Sequence, residues 1–252
     1  LKIDSAKLLS DIYIKKNPSK AIPYLQQSLV TDNPERKQEV VLLLAKAYLK
    51  IRDFDNCDKM LRLYSEKYPF DPRTDEVMFL SARVYLEKGD MGKALQNLEK
   101  IEKEYPFSKY LAESKYYIAY AKSKHGKAKE VVSLLNEYLS NQNVKNHYRA
   151  NLLLLDSHLA LGDVKNADAA MNRIITKYID NPGVEKSIFS YAQAIDDRGK
   201  DPWKYYNIII ARFPKSATAM AMYLRIGNGF FKEKTYKEAV IFYDKYLAGS
   251  GK

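Results

Sequence analysis

Cysteine is almost missing: Cys57 stands alone among 252 residues, which excludes an intrachain disulfide framework and any metal site built on several thiolates. One thiol suits a reducing or an oxidising compartment, so it does not locate the protein. Long apolar runs are missing too. The stretch 150–155 is already broken by Asn151, far short of the roughly 20 residues a membrane-spanning helix requires. Histidine is scarce, and His125, His147 and His158 lie too far apart for a contiguous metal motif. His158 reads as a core-facing ring and His125 as part of a lysine-rich turn. The acid pair Asp196-Asp197 sits beside Arg198-Gly199 at a helix end, where capping and solvation explain it better than acid–base chemistry, which needs a pocket. Gly89-Asp90-Met91-Gly92-Lys93 and Gly227-Asn228-Gly229 lie between or within helical patterns rather than after a strand, so neither reads as a nucleotide loop. No catalytic constellation, metal or cofactor is expected.

What is plentiful is lysine. The net charge of +11 invites a nucleic-acid reading, but residues 1–126 hold 23 Lys/Arg against 18 Asp/Glu and residues 127–252 hold 19 against 13. The excess is spread evenly, and Lys outnumbers the Arg that bidentate readout would favour. The densest positive stretch, 122–129, reads as a solvated turn. Tyrosine is also abundant, at 21 residues. Many of these fall at packing positions (Tyr48, Tyr85) or at helix-stopping joints (Tyr68, Tyr105), which makes them core rather than base-stacking platforms.

A period organises the chain. In 80–106, small and apolar residues recur at Ala82, Tyr85 and Leu86, then at Ala94, Leu95, Leu98 and Ile101, with Gly89-Asp90 between the two runs. That is a hairpin of two amphipathic helices. Small residues near the start of the second helix return at Ala21, Cys57, Ala94, Val131, Ala167, Pro202 and Ala239, spaced 35–37 apart. Cys57 is therefore expected to be a buried small residue rather than a reactive thiol. Twelve positions upstream stand Leu9, Ala45, Ala82, Ala119, Leu155, Ser190 and Gly227, as close helix crossing demands. The turns repeat as well: Lys16-Asn17-Pro18, Arg52-Asp53-Phe54, Gly89-Asp90-Met91, Gly126-Lys127-Ala128, Gly162-Asp163-Val164 and Lys234-Thr235-Tyr236. Gly suits the left-handed end of a first helix, and Asp or Thr suits the cap of a second. Tyr68-Pro69, Tyr105-Pro106 and Phe213-Pro214 stop second helices. Seven units near 1–33, 34–70, 71–107, 108–144, 145–181, 182–215 and 216–252 are predicted as one all-α solenoid (residues 1–252). Its opening at LKIDS and its closing Gly249-Ser250-Gly251-Lys252 predict a segment of a longer protein, with any leader or anchor outside it.

These residues resemble the tetratricopeptide repeat family, which wants a small residue and a Tyr in helix A, Gly-Asp at the turn, Ala and Leu in helix B, and a closing Pro. Ala82, Tyr85, Gly89, Asp90, Ala94, Leu98, Ile101 and Pro106 match best, and the sixth unit departs most through Asp201-Pro202-Trp203. The resemblance implies a right-handed superhelix whose A helices line a concave groove, with no enzymatic activity. Taking the family's fifth, ninth, and twelfth or thirteenth positions of each unit, it implies groove contacts from Lys46, Lys50, Phe79, Arg83, Glu87, Tyr116, Tyr120, Lys124 and Asp156. A clamp for a chaperone's C-terminal carboxylate needs Lys and Asn in successive repeats; only Asn228 fits, so that function is excluded.

The joints at 68–72, 105–110 and 213–217 resemble those of a bacterial-envelope subgroup. It includes the β-barrel assembly lipoprotein, the Tol–Pal-associated coordinator and the periplasmic scaffolds of flagellar motors. The expectation is a protein–protein scaffold or adaptor in the periplasm or cell envelope. A flagellar-motor scaffold is the first alternative, and a coordinator of outer-membrane assembly or cell division, contacting lipoproteins or peptidoglycan, is the second. A cytoplasmic location is the other compartment considered, and a nucleic-acid-binding repeat ranks last.

Overall fold

The computed structural model describes residues 16–30, 33–142 and 144–250. Among the described residues all regular structure is helical, in thirteen α-helices: α1 (Pro18–Ser28), α2 (Pro34–Lys50), α3 (Phe54–Lys67), α4 (Thr74–Lys88), α5 (Met91–Glu104), α6 (Leu111–Ser123), α7 (Ala128–Ser140), α8 (His147–Ala160), α9 (Val164–Tyr178), α10 (Val184–Asp196), α11 (Trp203–Arg212), α12 (Ala217–Lys232) and α13 (Tyr236–Ser250). The predicted partner of α1, including Leu9, lies outside the described residues. Helices pair as the antiparallel hairpins α2/α3, α4/α5 and α6/α7 in one compact unit that ends at Asn146. A second unit begins at His147 and holds α8/α9, α10/α11 and α12/α13.

Each of these six hairpins turns on one residue with a left-handed backbone: Arg52, Gly89, Gly126, Gly162, Gly199 and Lys234, with φ between 62° and 81°. Seven residues before each, a buried side chain marks where the first helix crosses its partner: Ala45, Ala82, Ala119, Leu155, Ala192 and Gly227. Five residues after the turn, in every hairpin but α10/α11, comes the buried counterpart Cys57, Ala94, Val131, Ala167 or Ala239. The crossing leaves no room for more. A Cβ on Gly227 would sit 2.7 Å from Cε1 of Tyr243, and Cys57 Sγ donates to the Ala45 carbonyl at 3.2 Å. Burial pushes the Cys57 thiol up to about 12, so it packs as a small apolar group.

The hairpin α10/α11, the sixth predicted unit, corrects the place the sequence alignment gives to its first helix. Its turn runs Gly199-Lys200-Asp201-Pro202, so α11 begins four residues after the left-handed glycine where α5 begins two after. Buried Pro202 keeps the small-residue place eleven before the Phe213 stop, as Ala94 does before Tyr105, and buried Tyr206 and Ile209 repeat Leu98 and Ile101. Counting twelve back from Pro202 lands on Ser190, which is exposed; the crossing residue is Ala192, fully buried. Ala192 and Pro202 are thus ten residues apart rather than twelve, and Pro202 is both the buried counterpart and the residue preceding α11.

The caps follow from local chemistry. Asp53, Asp90 and Asp163 each accept a hydrogen bond from the backbone N–H three residues on, at 3.1–3.2 Å, satisfying a donor the helix leaves unpaired. Thr235 does otherwise, its hydroxyl donating to the Phe230 carbonyl at 2.9 Å. Helices α3, α5 and α11 stop one residue before Tyr68-Pro69, Tyr105-Pro106 and Phe213-Pro214 respectively, the aromatic residue being the C-cap.

Successive hairpins of the first unit are also tied by polar contacts with a repeat of their own. The start of each first helix reaches the joint that follows its hairpin, 33 residues away. Gln38 donates to Asp71, Asp75 accepts from Ser108 at 2.6 Å, and Glu113 accepts from Asn146 at 2.5 Å. Such bonds fix the register of one repeat on the next, where apolar burial alone permits sliding.

Candidate partner-binding face

The nine predicted groove residues separate by their place along the first helix. Fifth-position side chains are core. Phe79 is 7 % exposed and stacks on Tyr110 at 4.8 Å, with Tyr117 edge-on at 5.6 Å. Tyr116 is 6 % exposed and packs on Tyr117 and Tyr138. Leu42, at the same position one repeat earlier, is buried too. The expectation of an open surface at Phe79 and Tyr116 is therefore corrected: the N-terminal half of each first helix is covered by the next hairpin and its joint, so a ring there fills the seam between repeats.

Ninth-position residues of the first unit, Lys46, Arg83 and Tyr120, are half-buried. Lys46 Nζ lies 2.9 Å from Glu76, and Glu76 accepts from the Tyr110 hydroxyl. With the Phe79–Tyr110 stack, this chain spans three consecutive hairpins. Burial by itself would raise the Glu76 carboxyl, but the hydrogen bonds from Tyr110 and Lys46 and the charges of Lys46 and Lys109 hold it below the ordinary range. Lys46 is thus a structural tie as well as a surface cation. Arg83 lies 5.9 Å over the Tyr117 ring, a cation–π contact. Tyr120 is half-buried with Lys124 5.1 Å over its ring.

Thirteenth-position residues are exposed: Lys50, Glu87 and Lys124. Glu87 pairs with Arg52 of the previous hairpin's turn at 2.7 Å. Asp156, a ninth-position residue, is exposed too, but it belongs to the second unit. What the first unit brings together is a half-open strip of Arg83, Tyr120, Lys50, Glu87 and Lys124 on the C-terminal halves of α2, α4 and α6. Alternating charge beside half-exposed rings suits recognition of polypeptide, where rigid rings and Arg serve as anchors.

Two residues escaped the sequence reading. Phe70 and Phe107 are 96 % and 100 % exposed, at the same place in successive joints. The signal was in the repeated Tyr-Pro-Phe. The Tyr stops the helix and packs, the Pro turns the chain, and the residue after it has no neighbour to cover it.

His158 is buried at its ring position, with Nδ1 3.2 Å from Asp163. Among the described residues no three His, Cys, Asp or Glu side chains gather where they could hold a metal ion. No described helix is long and apolar enough to cross a membrane.

Residues 4–129 match the family model for the tetratricopeptide repeat protein 21 ARM repeat. No curated protein matches the chain in sequence. Its fold is similar to solved helical-repeat structures. The C-terminal part of a TPR repeat-containing protein from Cytophaga hutchinsonii superimposes with a TM-score of 0.73 at 14% identity, over 96% of this chain and 94% of that one. The apo form of RapI gives 0.68 at 13% identity, over 99% and 97%. MamA, from residue 41 to its end, of Desulfovibrio magneticus RS-1 gives 0.59 at 13% identity, over 72% and 97%. At these identities the likeness is one of fold.

Proposed function

The chain belongs to the tetratricopeptide/ARM helical-repeat family, whose arrays serve as protein–protein interaction scaffolds, and from that premise we propose that it is a non-enzymatic adaptor of a bacterial cell-envelope assembly. The single observation that carries the binding role is the half-open strip of the first unit. There the ninth and thirteenth positions of successive first helices present Arg83, Tyr120, Lys50, Glu87 and Lys124 while the fifth positions are sealed. A bound segment lying along the strip would meet one set of contacts per repeat, so affinity would come from several modest contacts in register. Phe70 and Phe107 offer a second, apolar contact on the edge. The envelope assignment is supported by the aromatic-Pro joints at 68–72, 105–110 and 213–217. Within it, a periplasmic flagellar-motor scaffold stands first, and a coordinator of outer-membrane assembly or cell division stands second.

A photo-crosslinking residue placed at Lys50, Glu87 or Lys124 in the native host tests both parts. Protein adducts at these three sites, scarce from a probe at exposed Glu99 in helix α5, are the expected result, with the labelled partners in the envelope fraction. Adducts consisting only of nucleic acid would overturn the binding role. Exclusively cytoplasmic partners would overturn the location.

A further inference from the structure

The long turn of the sixth hairpin has a second consequence. Beside it, within the second unit, opens a cleft of about 470 Å³, inside the range that holds a discrete ligand group. Its lining includes Asp196 from the end of α10, Trp203 and Tyr206 from the first turn of α11, Arg225 and Phe230 from α12, and Glu233, the C-cap of α12. Three rings thus converge. Trp203 is 46 % exposed, although it is the only tryptophan of the chain, and meets Tyr206 edge-on at 5.9 Å. Phe230 is held in place by stacking on Phe242 at 5.6 Å.

Two features of this cleft are left over by the fold. Tyr206 is 2 % exposed, and its buried hydroxyl has no hydrogen-bond partner, whereas the buried hydroxyls of Tyr64, Tyr138 and Tyr191 are all bonded. A buried polar group without a partner is costly and marks a place where a ligand can supply one. Charge is the second feature. Arg225 is committed to Asp196 and lies 5.8 Å over the Tyr206 ring. Glu233 makes no ion pair among the described residues, so the lining carries a net negative charge in a chain of net +11. Aromatic faces, an unbonded hydroxyl and a spare carboxylate together suit a cation with an apolar stem.

We propose that this cleft binds one lysine or arginine side chain of a partner polypeptide, its stem against Trp203 and Phe230 and its charged head toward Glu233 and the Tyr206 hydroxyl. The polypeptide source of the cation rests on the scaffold reading above; the cleft's preference for a cation does not. The cleft also lies on a different unit from the Lys50–Lys124 strip, so the two readings can fail separately.

The lone tryptophan gives the readout. The full 252-residue chain is titrated with acetyl-Gly-Arg-Gly-amide and with the same peptide carrying neutral, isosteric citrulline, following Trp203 emission. The arginine peptide is expected to give a saturable change and to bind at least about fivefold more tightly than the citrulline peptide. Glu233→Gln, at an exposed position, is expected to collapse that preference to within about twofold while leaving the far-UV circular dichroism unchanged. Absence of a saturable change with the arginine peptide, equal binding of the two peptides, or a preference that survives Glu233→Gln would each overturn the assignment. None of these outcomes bears on crosslinking at the first unit's strip.

Discussion

The third hairpin, α4/α5, and the sixth, α10/α11, solve the same problem in different ways. Both turn on a left-handed glycine, Gly89 or Gly199, and both bury a small residue seven positions earlier, Ala82 or Ala192. They part after the turn. In the third, Asp90 caps at once and buried Ala94 lies inside α5; in the sixth, two further turn residues intervene and the buried counterpart Pro202 precedes α11. The first turn that α5 brings to the crossing is absent from α11, and a cleft lined by Trp203 and Tyr206 opens beside the long turn. A small residue held inside the second helix makes a repeatable joint, and a lengthened turn makes a local departure that can become a site.

The comparison breaks most visibly at Ala94. Ala94→Glu places a carboxylate, with no partner, at a position that is 0 % exposed. A loss of about 3–5 kcal/mol is expected, read as a large fall in urea midpoint followed by far-UV circular dichroism. Were the third hairpin as permissive as the sixth, the substitution would cost no more than a surface change.

Next in size is the tie between repeats that the third hairpin possesses. Tyr110→Phe removes the hydroxyl that Glu76 accepts and should cost about 1–3 kcal/mol. The same tie predicts a pH dependence. Because Glu76 is held below its ordinary 4.5 in the folded chain, its contribution is complete above that value and is lost as pH falls through the lower folded value. Glu76→Gln should therefore flatten the acid limb of a stability-against-pH curve. A curve of unchanged steepness in the variant would show that Glu76 has no part in acid unfolding.

A pair of tyrosines sharpens the contrast from within the sixth hairpin. Tyr191 donates to Asp168, which also accepts from Tyr205 at 2.7 Å, while the Tyr206 hydroxyl bonds to nothing. Tyr191→Phe should destabilise by about 1 kcal/mol, and Tyr206→Phe should be neutral or stabilising by up to about 1 kcal/mol, because it removes an unsatisfied buried group. Two changes of the same chemistry in adjoining helices would then have opposite signs in a denaturation series.

Most of the fold was legible because its chemistry is local and repeated. The left-handed turns, the Asp caps and the aromatic-Pro stops each act within a few residues, so the period alone located Ala45, Ala82, Ala119 and Cys57. Ser190 was misplaced because twelve-residue counting assumes a fixed distance between crossing residues, whereas Ala192 and Pro202 are ten apart; the Asp201-Pro202-Trp203 irregularity named the place without giving the shift. Groove positions were only partly legible. Whether a first-helix residue is sealed depends on the neighbouring hairpin, and the stacking of Phe79 on Tyr110 is a contact across repeats that no spacing within one repeat encodes.

The smallest expected change in stability separates surface from seam. Arg83 and Phe79 stand four residues apart on one helix, and the sequence reading gave them one role. Phe79 is sealed, while Arg83 is half-exposed, with its guanidinium over Tyr117. Arg83→Ala forgoes a partly exposed cation–π contact and some stem packing, so its effect on stability should stay within about 0.5–1 kcal/mol. Phe79→Ala opens a cavity and should cost about 3–5 kcal/mol. If the strip binds polypeptide, Arg83→Ala should nonetheless lower crosslinking yield from the neighbouring probe at Glu87 while helical content is unchanged. A variant that alters stability alone, with full crosslinking retained, would assign Arg83 to the seam with Phe79 and leave the thirteenth positions as the binding surface.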